Sequence, residues 1–125
     1  MELTQFFKSV IDQDRSPVVL CDLKHTVLYM NPAAISRYAN RGGEELIGKS
    51  LMCCHNQESC DIINKVLEWF ASDPTHNIIY EFRNDKENKD VYMVALRDDG
   101  GNLIGYYEKY EYRSRETAKL YDFTD

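Results

Sequence analysis

The sequence predicts an α+β domain, with a five-stranded antiparallel sheet and helices gathered on one of its faces. Three observations carry that prediction. Apolar residues recur at a helical period through residues 57–71. From Asn77 to Tyr112 the period changes to two, in three runs separated by turn residues. Two shorter runs rich in Val and Leu, residues 17–23 and 26–30, precede the helix. Short connections between the last three runs make them an antiparallel meander, and helices collected on one face of such a sheet define the α+β class.

In chain order, Leu3, Phe6, Phe7, Val10 and Ile11 recur at i, i+3, i+4, i+7 and i+8 and predict an amphipathic helix over residues 2–12. It is too short to be stable in water alone, so its apolar face must dock on something. Asp12 to Ser16 is a polar break. Residues 22–25 form a turn between the first two strands. Asn31-Pro32 then starts a helix, with Asn at the N-cap and Pro at the first helical position. Gly42-Gly43 interrupts, and residues 44–47 make a further helical turn closed by Gly48.

The long helix has Asn56 as N-cap and Glu58 in its first turn. Ser59, Ile62, Ile63, Val66, Leu67 and Phe70 share one face, and Ser72-Asp73-Pro74 is the stop. Residues 77–83 form the third strand and residues 84–90 a charged hairpin loop. Residues 91–97 are apolar on both faces, which predicts a strand covered on both sides. Residues 98–102 make a turn and residues 103–112 the last strand. The polar tail from Arg113 is either a short helix or a frayed end. The expected organisation is a flanking helix (1–14), the folded domain (15–112) and a tail (113–125).

A chain of 125 residues is one domain with one core. The net charge of −6 opposes binding to nucleic acid or anionic lipid, both of which need clustered positive charge. The longest apolar run, Pro17 to Cys21, is far short of a membrane span, and no secretory leader is seen. Four cysteines without an export signal are expected to be reduced thiols in the cytoplasm.

Cys53, Cys54, His55 and Cys60 are the least ordinary cluster. They include zinc-ligand types, but adjacent cysteines and a five-residue gap do not match a Cys-x₂₋₄-Cys knuckle, so no metal ligand is assigned. A mutual Cys53–Cys54 disulfide would be badly strained. A reactive Cys54 would need a thiol pKa lowered by the coming helix N-terminus and by His55. The simpler reading has some of these thiols packing as small hydrophobes.

Three pieces in this order resemble the PAS domain family: Val18-Val19-Leu20-Cys21-Asp22 leading to Asn31-Pro32-Ala33-Ala34, then Glu45-Leu46-Ile47-Gly48-Lys49-Ser50-Leu51, then Ala95-Leu96-Arg97-Asp98-Asp99-Gly100-Gly101-Asn102-Leu103-Ile104-Gly105-Tyr106. The resemblance covers about Ser16 to Tyr112. It implies a sheet in spatial order 2-1-5-4-3 and a ligand cavity walled by the long helix. It places Val19, Cys21, Met93, Tyr106, Tyr110 and Glu108 on the inner face. A carboxylate there is costly without a partner, so Glu108 reaches solvent, which is the simpler reading, pairs with a basic group, or touches a polar ligand. The flavin-binding members' Gly-Arg-Asn-Cys-Arg-Phe-Leu-Gln is matched by Gly48-Lys49-Ser50-Leu51, so Leu51 replaces the photoactive cysteine. The long helix carries no histidine of the kind haem-binding members use, and Cys53-Cys54-His55 is not a c-type attachment. Cys54-His55 with Ser59 is similar to a Cys-His-Pro-Pro-x-Ser segment in PAS domains attached to haemerythrin-like domains, although Asn56 and Gln57 stand for the prolines.

The function so implied is a non-enzymatic sensor or interaction domain in signal transduction or transcriptional regulation. Its ligand-lining residues would be Val19, Cys21, His55, Ile63, Val66, Leu67, Phe70, Met93, Tyr106 and Tyr110, with the cofactor left open. Tyr92, Val94, Leu96 and Tyr107 face outward and need a cover, for which residues 3–11 are the obvious segment. A homodimer with Phe6, Phe7, Val10 and Ile11 at its interface is therefore expected, together with a signalling partner protein. The alternative is a haem- or metal-dependent redox sensor using His55 and the nearby cysteines.

Overall fold

The computed structural model describes residues 2–54 and 56–124, with the backbone alone at Cys53 and Cys54. Helix α1 (Leu3–Asp12) leads to strands β1 (Val19–Asp22) and β2 (Val27–Met30). Helix α2 (Pro32–Arg37) and three 3₁₀ turns (Ala39–Arg41, Gly43–Leu46, Leu51–Cys54) follow. Helix α3 (Gln57–Ser72) then precedes β3 (Ile78–Asn84), β4 (Lys89–Arg97) and β5 (Leu103–Tyr112). The five strands form one antiparallel sheet in the order β2-β1-β5-β4-β3. That is the predicted fold class and strand order.

Local chemistry explains the helix starts. Asn31 and Asn56 are the N-caps of α2 and α3, accepting from Ala34 N and Ser59 N through their side-chain oxygens. The end of α3 is held by a residue distant in sequence. The Arg97 guanidinium donates to the carbonyls of Phe70 (2.8 Å), Asp73 (3.3 Å) and His76 (3.3 Å), and to Asn77 Oδ1 (2.7 Å). Carbonyls that a helix C-terminus leaves without partners are thereby satisfied.

The core lies between the sheet and the helices. Phe70, Met30, Met93, Cys21 and Tyr106 are almost fully buried, with Ala34, Val27, Ile63 and Val66 packed among them. Each large apolar side chain so buried contributes about 1.5–3 kcal/mol. Gly105 pairs with Asp22 across the β1–β5 junction, where a Cβ would stand 2.2 Å from the Cys21 carbonyl oxygen. The two strands meet this closely only over glycine.

Two expectations change, and the tail takes one of its two alternatives. The hairpin loop is shorter than residues 84–90, because β4 begins at Lys89. Lys89 is 1% exposed, its ammonium 3.9 Å from the centre of the Tyr110 ring and 3.6 Å from Glu87. The tail forms no helix over residues 113–124, and Leu120, Tyr121 and Phe123 are largely exposed. Finally, α1 does not bury its apolar face within the chain. Phe6, Phe7 and Val10 remain 55%, 62% and 74% exposed, so β4 is not covered on both sides by this helix. What holds α1 is polar. Tyr29 Oη donates to Asp12, and the Asn31 side chain donates to the Ile11 carbonyl at 2.9 Å.

Asn31 is wholly buried and also accepts from Val18 N (2.9 Å) and donates to the Ser16 carbonyl (3.0 Å). Replacing it by alanine strands these backbone groups without solvent. Asn31→Ala is expected to cost about 3–5 kcal/mol in urea unfolding monitored by circular dichroism; a loss below about 1 kcal/mol would show that the network contributes little.

Candidate functional site

A cavity with two lobes lies between the sheet and the helical segments. The first, ≈ 130 Å³, is bounded by Val19 and Cys21 of β1, Val27 and Met30 of β2, Tyr38, Arg41, Leu46 and Leu51 of the helical connection, and Tyr106, Glu108 and Tyr110 of β5. The second, ≈ 370 Å³, lies beneath the first turns of α3. Ser59, Ile62 and Ile63 of α3, Glu81 and Phe82 of β3, Met93 of β4, and Leu51, Tyr106 and Glu108 line it. Leu51, Tyr106 and Glu108 border both lobes.

The structure brings Val19, Cys21, Tyr106 and Tyr110 to the first lobe and Ile63, Met93 and Tyr106 to the second. Val66, Leu67 and Phe70 line neither lobe. They sit on the later turns of α3, which Arg97 draws down onto the sheet, and pack into solid core. His55 lies outside the described residues, as do the side chains of Cys53 and Cys54. The two described histidines are already engaged. His76 stacks on Trp69 with its Nδ1 2.8 Å from the Trp69 carbonyl. The His25 ring contacts Tyr106 Oη at 2.8 Å through Nδ1 and Asn64 Oδ1 at 3.0 Å through Nε2. No group of three His, Cys, Asp or Glu able to hold a metal exists among the described residues.

The His25 contacts assemble a relay. If Nε2–H donates to Asn64, Nδ1 is left to accept from the Tyr106 hydroxyl. A cavity-wall phenol is thus tied to the middle of α3 through a residue of the β1–β2 turn. His25 takes a positive φ of 66°, supported by the Asp22 carboxylate, which accepts from Lys24 N and Thr26 N. Beside the phenol, burial pushes the Cys21 thiol up to about 11, so it is an unreactive wall group. Burial likewise raises the Tyr106 and Tyr110 phenols, and Tyr110 Oη lies 3.2 Å from Tyr38 Oη.

Below the first lobe, Arg37 of α2 grips Glu87 of the β3–β4 hairpin at 3.0 and 3.1 Å. This bidentate pair holds the Glu87 carboxyl down to about 2. It closes that end of the domain and places the Lys89 ammonium behind Tyr110.

Glu81 and Glu108 are the residues sequence reasoning undervalued. Glu108 was expected to be solvated, but both are half-buried and line the second lobe. Desolvation, followed by a hydrogen bond to Glu108 and then that carboxylate's charge, pushes the Glu81 carboxyl up to about 9. A bulge between Tyr80 and Phe82 leaves Glu81 opposite no residue of β4, so that neighbouring Glu81 and Phe82 both border the lobe. The alternation of Glu81 with Ile79 was the available signal, since Ile79 faces the core.

Comparisons with known proteins place this geometry. A PAS domain family model matches residues 15–108, whereas a comparison with curated proteins finds no match. The fold is similar to the PAS domain of Bordetella pertussis BvgS, at 16% identity over 90% of this chain and 87% of that one, TM-score 0.62. It is similar also to the Vibrio cholerae Aer2 receptor, a dual PAS-haem oxygen sensor, at 18% identity over 75% and 90%, TM-score 0.54. The Vibrio cholerae VqmA dimer, of the LuxR-type receptors, matches at 13% identity over 91% of this chain and 53% of that one, TM-score 0.57. These likenesses are to the fold. With the matched span covering most of the sequence and the predicted strand order in place, the chain belongs to the PAS domain family.

Proposed function

We propose that this domain is a non-enzymatic sensor module that binds a small molecule in the two-lobed cavity and passes the change on through its termini. The observation that carries the reading is the cavity itself, whose larger lobe is of ligand-pocket size and mostly apolar, with few polar groups converging on it. The family's general sensory role and the sensors among its structural neighbours support it. The His25 relay supplies a physical link, because a ligand that moves Tyr106 acts on α3 through Asn64. Strand β5 borders both lobes and runs directly into the C-terminal tail.

The domain acts as a homodimer whose interface includes α1. Leu3, Phe6, Phe7 and Val10 form an exposed stripe that a single copy leaves in water. A second copy presenting the same stripe would cover it with a self-complementary surface. Partners in a signalling pathway would then read the position of α1 or of the tail.

The neutral fluorophore N-phenyl-1-naphthylamine is expected to brighten on adding wild-type protein and not on adding Ser59→Trp, which fills the second lobe from α3. Equal brightening with both proteins would place the dye elsewhere and remove the support. A Soret band or stoichiometric metal in freshly purified protein would point instead to a haem- or metal-dependent sensor. Light scattering at tens of micromolar is expected to give twice the chain mass for wild type and a monomer for Phe7→Glu; a wild-type monomer unchanged by Phe7→Glu would contradict the dimer.

A further inference from the structure

Charged side chains withdrawn from solvent elsewhere in this fold have opposite charges or several polar partners. Glu87 has Arg37 and Lys89, Asp12 has Lys8 and Tyr29, and Arg97 has the carbonyls at the end of α3. Glu81 and Glu108 do not follow this pattern. Among the described residues no Lys, Arg or His lies within ion-pair distance of either carboxylate. Lys89 has its ammonium committed to Tyr110 and Glu87, and Arg41, which borders the first lobe together with Glu108, stands beyond ion-pair distance of it.

The two carboxylates come from different strands and meet at one apolar lobe. Glu108 is brought there by the β5 register, opposite Met93, and Glu81 by the bulge in β3. A bulge that re-aims a side chain into a cavity recurs beside functional sites. The other described residues of the lobe are Leu51, Ile62, Ile63, Phe82, Met93 and Tyr106, with the Ser59 hydroxyl as a further polar group at the α3 end. Leaving two carboxyls against such walls without a cation is costly, and burial, then a hydrogen bond donated to Glu108 and that carboxylate's charge, favour the protonated form of Glu81.

From this geometry we infer that the second lobe takes an organic cation, a primary amine or amidine on a compact apolar body, whose nitrogen is held between Glu81 and Glu108. The chamber is complementary to such a molecule in both respects. On binding, Glu81 releases its proton to solvent and the positively charged N–H group takes its place, donating to both carboxylates, while an aromatic or branched aliphatic body fills the space between Ile63, Phe82 and Met93. A carboxylate ligand would meet like charge and be rejected. A neutral alcohol would make a hydrogen bond without the charge. The inference rests on the cavity being the ligand chamber proposed above, and it adds the chemical class.

Calorimetric titration of the full chain with 2-phenylethylamine, 2-phenylethanol and 3-phenylpropanoate tests it. The amine is expected to bind at least about tenfold more tightly than the alcohol, with the carboxylate weakest, as charge-assisted contacts in a desolvated site require. Glu81→Gln and Glu108→Gln should each bring amine and alcohol to within about twofold of one another. Glu108→Lys, which supplies an internal ammonium, should abolish amine binding while N-phenyl-1-naphthylamine still enters. Equal binding of amine and alcohol, preference for the carboxylate, or an amine preference that survives both glutamine variants would overturn the inference. Failure of all three compounds would overturn it too. In that case continued uptake of the neutral dye leaves the sensor cavity standing, and loss of dye uptake removes both.

Discussion

The Asn31 side chain is the contact on which the arrangement of the other elements depends. It is wholly buried, and its oxygen serves two backbone amides, one at the start of β1 and one in the first turn of α2. Its amide nitrogen gathers carbonyls from the end of α1 and from the segment leading into β1. One residue therefore fixes the entry of the sheet, the start of the helical connection and the root of the flanking helix. Because the amide lies out of water, no solvent replaces these bonds if it is lost. The geometry also couples the parts: a displacement of α2 at the cavity edge is felt where α1 leaves the domain.

Two further constraints set the shape of the chamber. Gly105 lets β1 and β5 close to a distance no side chain tolerates, which places Cys21 and Tyr106 side by side in the cavity wall. Arg97 reaches from β4 to the end of α3 and ties that end to the sheet. The far half of the helix is packed solid as a result, with Val66 and Phe70 in the core, while the near half stands over open space. One helix thus provides both an anchor and a chamber wall. The relay from Tyr106 through His25 to Asn64 crosses the boundary between those halves.

Much of the fold was legible because its signals are local. Helical period, the Asn-Pro and Asn-x-Glu starts and the change to a two-residue period are properties of neighbouring residues, and they located all five strands and the long helix. What stayed hidden depends on residues far apart in sequence. Lys89 read as a loop residue because lysine is usually solvated, and only the Tyr110 and Glu87 side chains of the folded state make its burial tolerable. His25 read as a turn residue, since nothing near it in the sequence announces Tyr106 or Asn64. The apolar face of α3 was visible, but which of its turns lines a chamber is decided by Arg97, some twenty-seven residues beyond Phe70. Glu81 sat in view on the face of Ile79, and the bulge that sets its final aim is not written in local composition.

Glu81 and Glu108 face one another at the chamber with no ion-pair partner among the described residues, so at neutral pH Glu81 keeps its proton. Titration of the Glu81 carboxyl carbon by ¹³C nuclear magnetic resonance addresses this directly. The predicted midpoint is about 9, against an ordinary value of 4.5. The folded protein then binds this proton more tightly than the unfolded chain does. The stability it contributes is fully present below about pH 4.5 and is lost as pH rises through about 9. Addition of 2-phenylethylamine should move the midpoint down, because the ammonium favours the ionised form. A Glu81 carboxyl that titrates in the ordinary range and ignores the amine would contradict the account.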